Sequence, residues 1–338
     1  MKHYSIVEIL GDGISVELSQ SVQGLAKTLP FEVDFRQVDL SLDQRRRARE
    51  AAYADAKAAL SELCVAIKYP TVTEEESPNK VLREFCDFSV IHRPVRSFPG
   101  VENNFKRNLD IDVVRIATGG TYSDRGMRIG TESAVSLRII ERQPSRYAAR
   151  FAFRLASSKG RSVVSTSKWT IQQAADGLFQ DQCDEIAHHY PGIPYRGELF
   201  DALLAGIVLR PDRYDIIVCP NEYGDFLSDM ACGLIGSIGL GDSASYSFEK
   251  GGRVRLAMFD PAGGTAPDIA GQDLCNPSAA LLAFGSLLNH IGEPEAGEAL
   301  RSSVREAIGE GEKTTDIGGP LGTRDFTDAV IRRVEAKL

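Results

Sequence analysis

The chain lacks the marks of a membrane protein, a disulfide scaffold and a zinc site. No run of eighteen apolar residues occurs, so no segment reads as a membrane span. The opening, MKHYSIVEILGDG, has no basic segment, long apolar core or small-residue cleavage site of a secretory leader. Six cysteines stand singly at 64, 86, 183, 219, 232 and 275 with no CxxC pair, which points to free thiols in the cytoplasm. Positive charge is short too: 39 Lys and Arg against 47 Asp and Glu leave a formal charge of −8, which argues against a broad nucleic-acid surface. A local basic pocket is still compatible with that balance.

With 338 residues, 43% of them apolar, the chain buries a large core, and its length favours two domains. Short β-branched runs at 5–10, 63–70, 112–120, 162–168 and 214–221 alternate with helical segments at 42–63, 145–157, 170–188, 226–235, 277–291 and 294–308. That alternation predicts an α/β architecture. Gly/Pro-rich breaks at 94–100 and 236–242 are candidate domain crossings. They would give one domain built from both termini, one from the middle, and a ligand cleft between them.

The segment YGDFLSDM places Asp225 and Asp229 four residues apart, which is one helical turn. With a helix starting at Phe226, Asp225 would sit at its cap. Two like charges so close need a cation, and oxygen ligands without His or Cys suit Mg²⁺ or Mn²⁺. Arg83, Arg93 and Arg115 present guanidinium forks that fit carboxylates. Singly, each reads more plainly as a surface ion pair; converging, they would hold a di- or tricarboxylate. RRRARE at 45–50 reads as a solvated helix face. Tyr122, after a Gly-Gly turn, reads more plainly as a core or turn residue than as an acid, whereas Lys168 at a strand end suits acid–base work. The loop DPAGGTAPDIAGQDLCNP at 260–277 suits an adenosine moiety, with Asp268 positioned to accept from ribose hydroxyls and to repel a 2′-phosphate, favouring NAD over NADP.

Taken together, GDGIS, AIKYPTVT, SPNKVLRE, HRPVRSFPG, TGGTYS, VVSTSK, FDALL, PNEYGDFLSD, GGTAPDIAG and NPSAALL occur in one order along nearly the whole chain. In this the sequence resembles the β-decarboxylating dehydrogenases, which include isocitrate, homoisocitrate, 3-isopropylmalate and tartrate/D-malate dehydrogenases. The resemblance implies an isopropylmalate dehydrogenase-like two-domain fold. Residues 1–88 and 242–338 would form a discontinuous domain carrying the NAD loops, and 89–241 a central domain carrying the dimer interface, metal site and arm. It implies that Arg83, Arg93 and Arg115 clamp the substrate, assisted by Ser77 and Asn79. Tyr122 and Lys168 would be catalytic, and Asp201, Asp225 and Asp229 would hold Mg²⁺ or Mn²⁺. In a homodimer with shared sites, Lys168 and Asp201 would come from the neighbouring subunit. Thr71, Asn221, Gly264, Thr265, Ala266, Asp268 and Asn276 would contact NAD.

The resemblance also implies the reaction, NAD-dependent oxidative decarboxylation of a small polyanionic β-substituted malate. Ser77 and Asn79 follow the isocitrate pattern, and no leucine-rich patch is present for an isopropyl group. Several positions depart from the family: Glu74-Glu75-Glu76 replaces a glycine-rich stretch, Tyr69 a glycine, His92 a leucine, and Gly263 a histidine that stacks on adenine. These changes favour an isocitrate analogue, such as one bearing a phosphonate, with His92 adding charge to the anion pocket. The alternatives are 3-isopropylmalate, homoisocitrate or D-malate/tartrate as substrate, and a non-catalytic regulatory subunit. The retained tyrosine, lysine and aspartates weigh against the last.

Overall fold

The computed structural model describes residues 2–338. From the amino end, β1 (His3–Leu10), α1 (Ser15–Ala26), β2 (Glu32–Asp39), α2 (Leu42–Leu63) and β3 (Val65–Lys68) build a parallel layer. Then come α3 (Pro78–Cys86), β4 (Val90–Arg96), β5 (Asp110–Ile116), and β6 (Met127–Ile129) with β7 (Ser133–Val135) as a separate hairpin. The middle continues with α4 (Arg142–Lys159), β8 (Val163–Ser167), α5 (Ala175–Ala187), β9 (Tyr195–Leu199), α6 (Phe200–Leu209), β10 (Ile216–Cys219) and α7 (Asn221–Leu234). The chain closes with β11 (Asp242–Phe248), β12 (Val254–Pro261), α8 (Ser278–His290), α9 (Pro294–Gly309) and α10 (Thr323–Glu335).

Ten strands form one sheet in the order β2-β1-β3-β12-β11-β4-β5-β10-β8-β9. The wings are parallel, while β11 runs antiparallel to both β12 and β4, and β4 antiparallel to β5. Helices cover both faces, which is why Ile6, Val7 and Ile9 of β1 are all fully buried despite alternating sides. Five strands come from residues 3–68 and 242–261, and five from 90–219. They meet where β11 pairs with β4 through only Ala244–His92, Ser245–Ile91 and Tyr246–Val90. A sheet of strands alternating with helices follows from the periodicity of the sequence.

Several local expectations are corrected. Helix α7 begins at Asn221, five residues before the expected start, so Asp225 lies inside the helix and not at its cap. Helix α5 begins at Ala175, because 169–174 turn before it. The RRRARE segment is not simply a solvated face. Arg45 is 2% exposed and donates to the Leu40 and Val72 carbonyls and to Glu76, while Arg46 pairs with Glu74 and Arg49 with Glu75. The acidic loop and the basic helix thus neutralise each other. By contrast, α2 spans Leu42–Leu63 as expected, because the Ser41 hydroxyl caps it by accepting from the Gln44 amide and Cys64 ends it in the left-handed region.

Candidate active site

The arginine strands and α7 form the first half of the site. Arg115 on β5 is 3% exposed; its Nε donates to Asn221 Oδ1 at 2.9 Å, and its guanidinium pairs with Asp225. Burial, then the neighbouring Arg93, pull its pKa down to about 10. Arg93 on β4 donates to Ser228 Oγ at 2.6 Å and Asp229 Oδ1 at 3.1 Å, and lies 3.7 Å from Asp225. Its buried Nε has no partner. Arg83 on α3 is half-buried and close enough to feel Asp260, Arg93 and Asp225, with burial lowering its pKa. Repulsion between the two α7 aspartates is therefore balanced in this chain by guanidinium groups.

Tyr122 stands over the same cluster. Its hydroxyl donates to Asp225 Oδ2 at 3.1 Å and its ring lies 5.9 Å from the Arg115 guanidinium carbon. Burial and then the Asp225 charge push its phenol pKa up. The turn ahead of it is fixed by Glu222, which sequence reasoning missed. Glu222 is buried, accepts from the Thr121 amide at 3.2 Å and pairs with Arg138. Gly120 (φ +68°) gives it room, since a Cβ there would fall 1.9 Å from Glu222 Oε2. Ser228 and Asp260 were missed as well, although they lie in the segments YGDFLSDM and DPAGGTAPDIAGQDLCNP, because other residues carry the signal there. Asp260 is half-buried beside Lys68, Arg93 and Arg83, and its partial burial raises its pKa.

A second group lies elsewhere on the same chain. Lys168, just past β8, donates from Nζ to Asp201 Oδ1 at 2.9 Å, which holds the Asp201 carboxyl below its ordinary value. Among the described residues, no three His, Cys, Asp or Glu side chains gather to hold a metal ion. Among the described residues the chain therefore offers the oxygen pair Asp225 and Asp229, hard donors that suit Mg²⁺ or Mn²⁺, without a third acidic ligand.

Ser77 caps α3 by accepting from the Lys80 amide, and Asn79 is exposed. Thr71 accepts from Lys68 Nζ at 3.2 Å. In the glycine loop, the Thr265 carbonyl accepts from the Ile14 amide at 2.9 Å, Ala266 holds a left-handed φ of +37°, and Gly264 and Asp268 are exposed. Asn276 donates to Asp316 Oδ2 at 3.1 Å. Asn221 is 2% exposed and spends its amide on Arg115 and on the Gly119 carbonyl, so it acts here as a holder of the clamp. His92 does not add charge to this pocket. It faces the other side of β4 from Arg93 and contacts Asp112 at 2.8 Å.

Residues 4–330 match the family model described as isocitrate/isopropylmalate dehydrogenase. The chain is 33% identical to subunit 2 of the mitochondrial NAD isocitrate dehydrogenase of Kluyveromyces lactis, over 98% of this chain and 90% of that one. It is also 33% identical to a 3-isopropylmalate dehydrogenase of Archaeoglobus fulgidus, over 96% of this chain and 98% of that one. The structure aligns with the crystal structure of isocitrate dehydrogenase from Methylococcus capsulatus at a TM-score of 0.86 and 28% identity, covering 98% and 99% of the two chains. Since the match is end to end in both sequence and fold, the chain belongs to the isocitrate/isopropylmalate dehydrogenase family.

Proposed function

We propose that this enzyme, an oxidatively decarboxylating dehydrogenase by family, acts with NAD on a β-substituted malate whose third substituent is polar or charged, as in isocitrate or a phosphonate-bearing analogue of it. The observation that carries this reading is the gathering of Arg93, Arg115, Tyr122, Asp225 and Asp229 on one chain, with Lys168 and Asp201 paired apart from them. The first group lacks a base and a third acidic ligand, and the second group supplies both when a neighbouring protomer presents it. The β6–β7 hairpin supports such a homodimer, for Met127 and Ile129 are 69% and 59% exposed on it.

Arg83, Arg93 and Arg115 bind the malate carboxylates, and the free Nε of Arg93 is a donor waiting for one. Asp225 and Asp229, with Asp201 of the other protomer, would hold the Mg²⁺ or Mn²⁺. When bound, the cation supplies Lewis acidity at the substrate's oxygens and the nicotinamide takes up the hydride. Lys168, as its neutral amine, takes up the hydroxyl proton as the alcohol is oxidised, and Asp201 holds the amine in place. Once CO₂ has left, Tyr122 returns a proton to the carbon that lost it; its raised pKa keeps the phenol protonated at neutral pH. Gly264, Thr265, Ala266, Asp268 and Asn276 bind the adenosine end of NAD, with Asp268 exposed toward the ribose hydroxyls.

The test is NAD reduction with Mg²⁺ on isocitrate, homoisocitrate, 3-isopropylmalate, D-malate and a phosphonomethyl-malate. The highest kcat/KM is expected on a substrate with an ionised third substituent. A preference for 3-isopropylmalate overturns the substrate assignment, and it is the second reading, since a relative of that name is as similar as the isocitrate enzyme. Tyr122→Phe and Lys168→Ala should each lower kcat by about a hundredfold or more.

A further inference from the structure

A cavity lies apart from the site just described. It has a volume of about 750 Å³ and lies on the opposite face of the sheet, at the seam where β4 meets β11. Strand alternation places it there. On β4, Arg93 faces the clamp while His92, Pro94 and Arg96 face the cavity, and on β5 Arg115 and Asp110 divide in the same way. The helices contribute regular stripes. Phe151, Leu155 and Lys159 of α4, four residues apart, form one wall, and Glu298, Arg301 and Arg305 of α9 form part of the other.

The cavity is locally basic in a chain of net charge −8. Arg96, Lys159 and Arg161 share two carboxylates, those of Asp110 and Asp112. Asp112 is fully buried; burial works against its ionisation, yet His92, Arg96 and Lys159 hold its pKa well below the ordinary value. On the facing wall Arg301 is occupied by Asp242, Ser286 and the Leu282 carbonyl. Arg305 makes no ion pair among the described residues; it lies over the Phe98 ring at 5.5 Å, within reach of the charges of Arg96, Asp110, Arg301 and Glu298. Five permanent cations thus face four carboxylates, and the free guanidinium stands across the cavity from the crowded one. Phe151 and Tyr246, their rings 4.9 Å apart and tilted by 36°, supply an aromatic floor between them. The volume falls within the range of small-molecule sites, roughly 300–1,000 Å³.

We infer that this seam cavity is a second ligand site, which takes a small organic polyanion carrying at least two carboxylate or phosphate groups. One group meets Arg305, and another meets the Arg96–Lys159–Arg161 cluster on the opposite wall. Guanidinium forks in a partly desolvated cavity are suited to both chemistries. The assignment is independent of the substrate reading, since none of these residues belongs to the clamp.

Titration calorimetry of the full chain with pyrophosphate and with 1,2,3-propanetricarboxylate, which has no hydroxyl to oxidise, tests it. Saturable binding of one or both is expected, and which probe binds separates phosphate from polycarboxylate ligands. Binding should persist in Arg83→Gln, whose clamp is disabled. It should weaken about tenfold or more in Arg305→Gln and be largely restored in Arg305→Lys, the change expected from losing one charge-assisted contact. Thermal unfolding without ligand should be the same for both Arg305 variants, as befits an unpaired side chain. Binding of neither probe, binding lost with Arg83→Gln, or binding indifferent to Arg305→Gln would each overturn the proposal.

Discussion

Lys68 shows how much a single side chain can hide from sequence. It is 2% exposed, its ammonium donates to the Tyr69 carbonyl at 2.9 Å and to Thr71 at 3.2 Å, and burial pulls its pKa down to about 8. The unfolded chain would bind this proton up to about pH 10.4. Between roughly pH 8 and 10.4 the native state therefore holds fewer protons than the unfolded one, and the group adds stability as pH rises, by at most about 1.4 kcal/mol per unit. Urea denaturation of the wild type and of Lys68→Met at several pH values should show the difference between them moving in favour of the wild type across that window. A flat difference would mean that Lys68 titrates as an ordinary lysine. In sequence, AIKYP spoke only of the family resemblance; nothing in five letters says that the lysine has lost its water. Arg115 was more legible, because a guanidinium flanked by valines and isoleucine on a strand needs a carboxylate partner, and Asp225 provides one.

At the scale of elements, what was missed and why is instructive. The strands β4 and β11 escaped detection because neither looks like a buried strand: one reads VIHRPVR and the other DSASYSF. Their polar residues serve pockets on both faces, which erases the apolar alternation on which strand recognition depends. The early start of α7 escaped for a related reason. Gly224 is a poor helix former, but it is needed there, since a Cβ would lie 2.6 Å from the Arg115 Cβ and 2.7 Å from its Cγ. Gly224→Ala should displace the clamp and raise the substrate KM about tenfold or more, while thermal unfolding changes much less; steady-state kinetics beside a melting curve would check this. Helix α2 makes a different demand. Arg45 is buried against Glu76, with Asp12 at 3.6 Å, and ties α2 to the loop leading into α3. Arg45→Ala leaves those carboxylates without their cation and should cost about 3 kcal/mol in chemical denaturation.

For the whole molecule, the alternating architecture was readable from periodicity, and the arginine cluster only through the resemblance to the family's motifs. The back-to-back placement of two basic pockets was not, because strand pairing across the seam joins segments some 150 residues apart, Ala244 with His92. The resemblance did set Lys168 and Asp201 apart from the other site residues, and the chain does keep Lys168 beside Asp201 while Tyr122 attends Asp225. The proposed sharing of sites predicts complementation. Chains carrying Lys168→Ala and chains carrying Tyr122→Phe should each be nearly inactive alone. Unfolded and refolded together in equal amounts, they should recover roughly a quarter of wild-type turnover, since half the dimers are mixed and each mixed dimer has one intact site of two. Failure to recover any activity, with mixed dimers shown to form, would place both residues in one chain's site.

The split between those two groups also bears on inheritance. With shared sites, two gene copies lesioned in opposite halves would complement each other in part inside mixed assemblies, so catalysis would be lowered but not lost while both are expressed. Duplicated copies could then drift apart in opposite halves, each becoming dependent on the other, without a generation in which catalysis was lost.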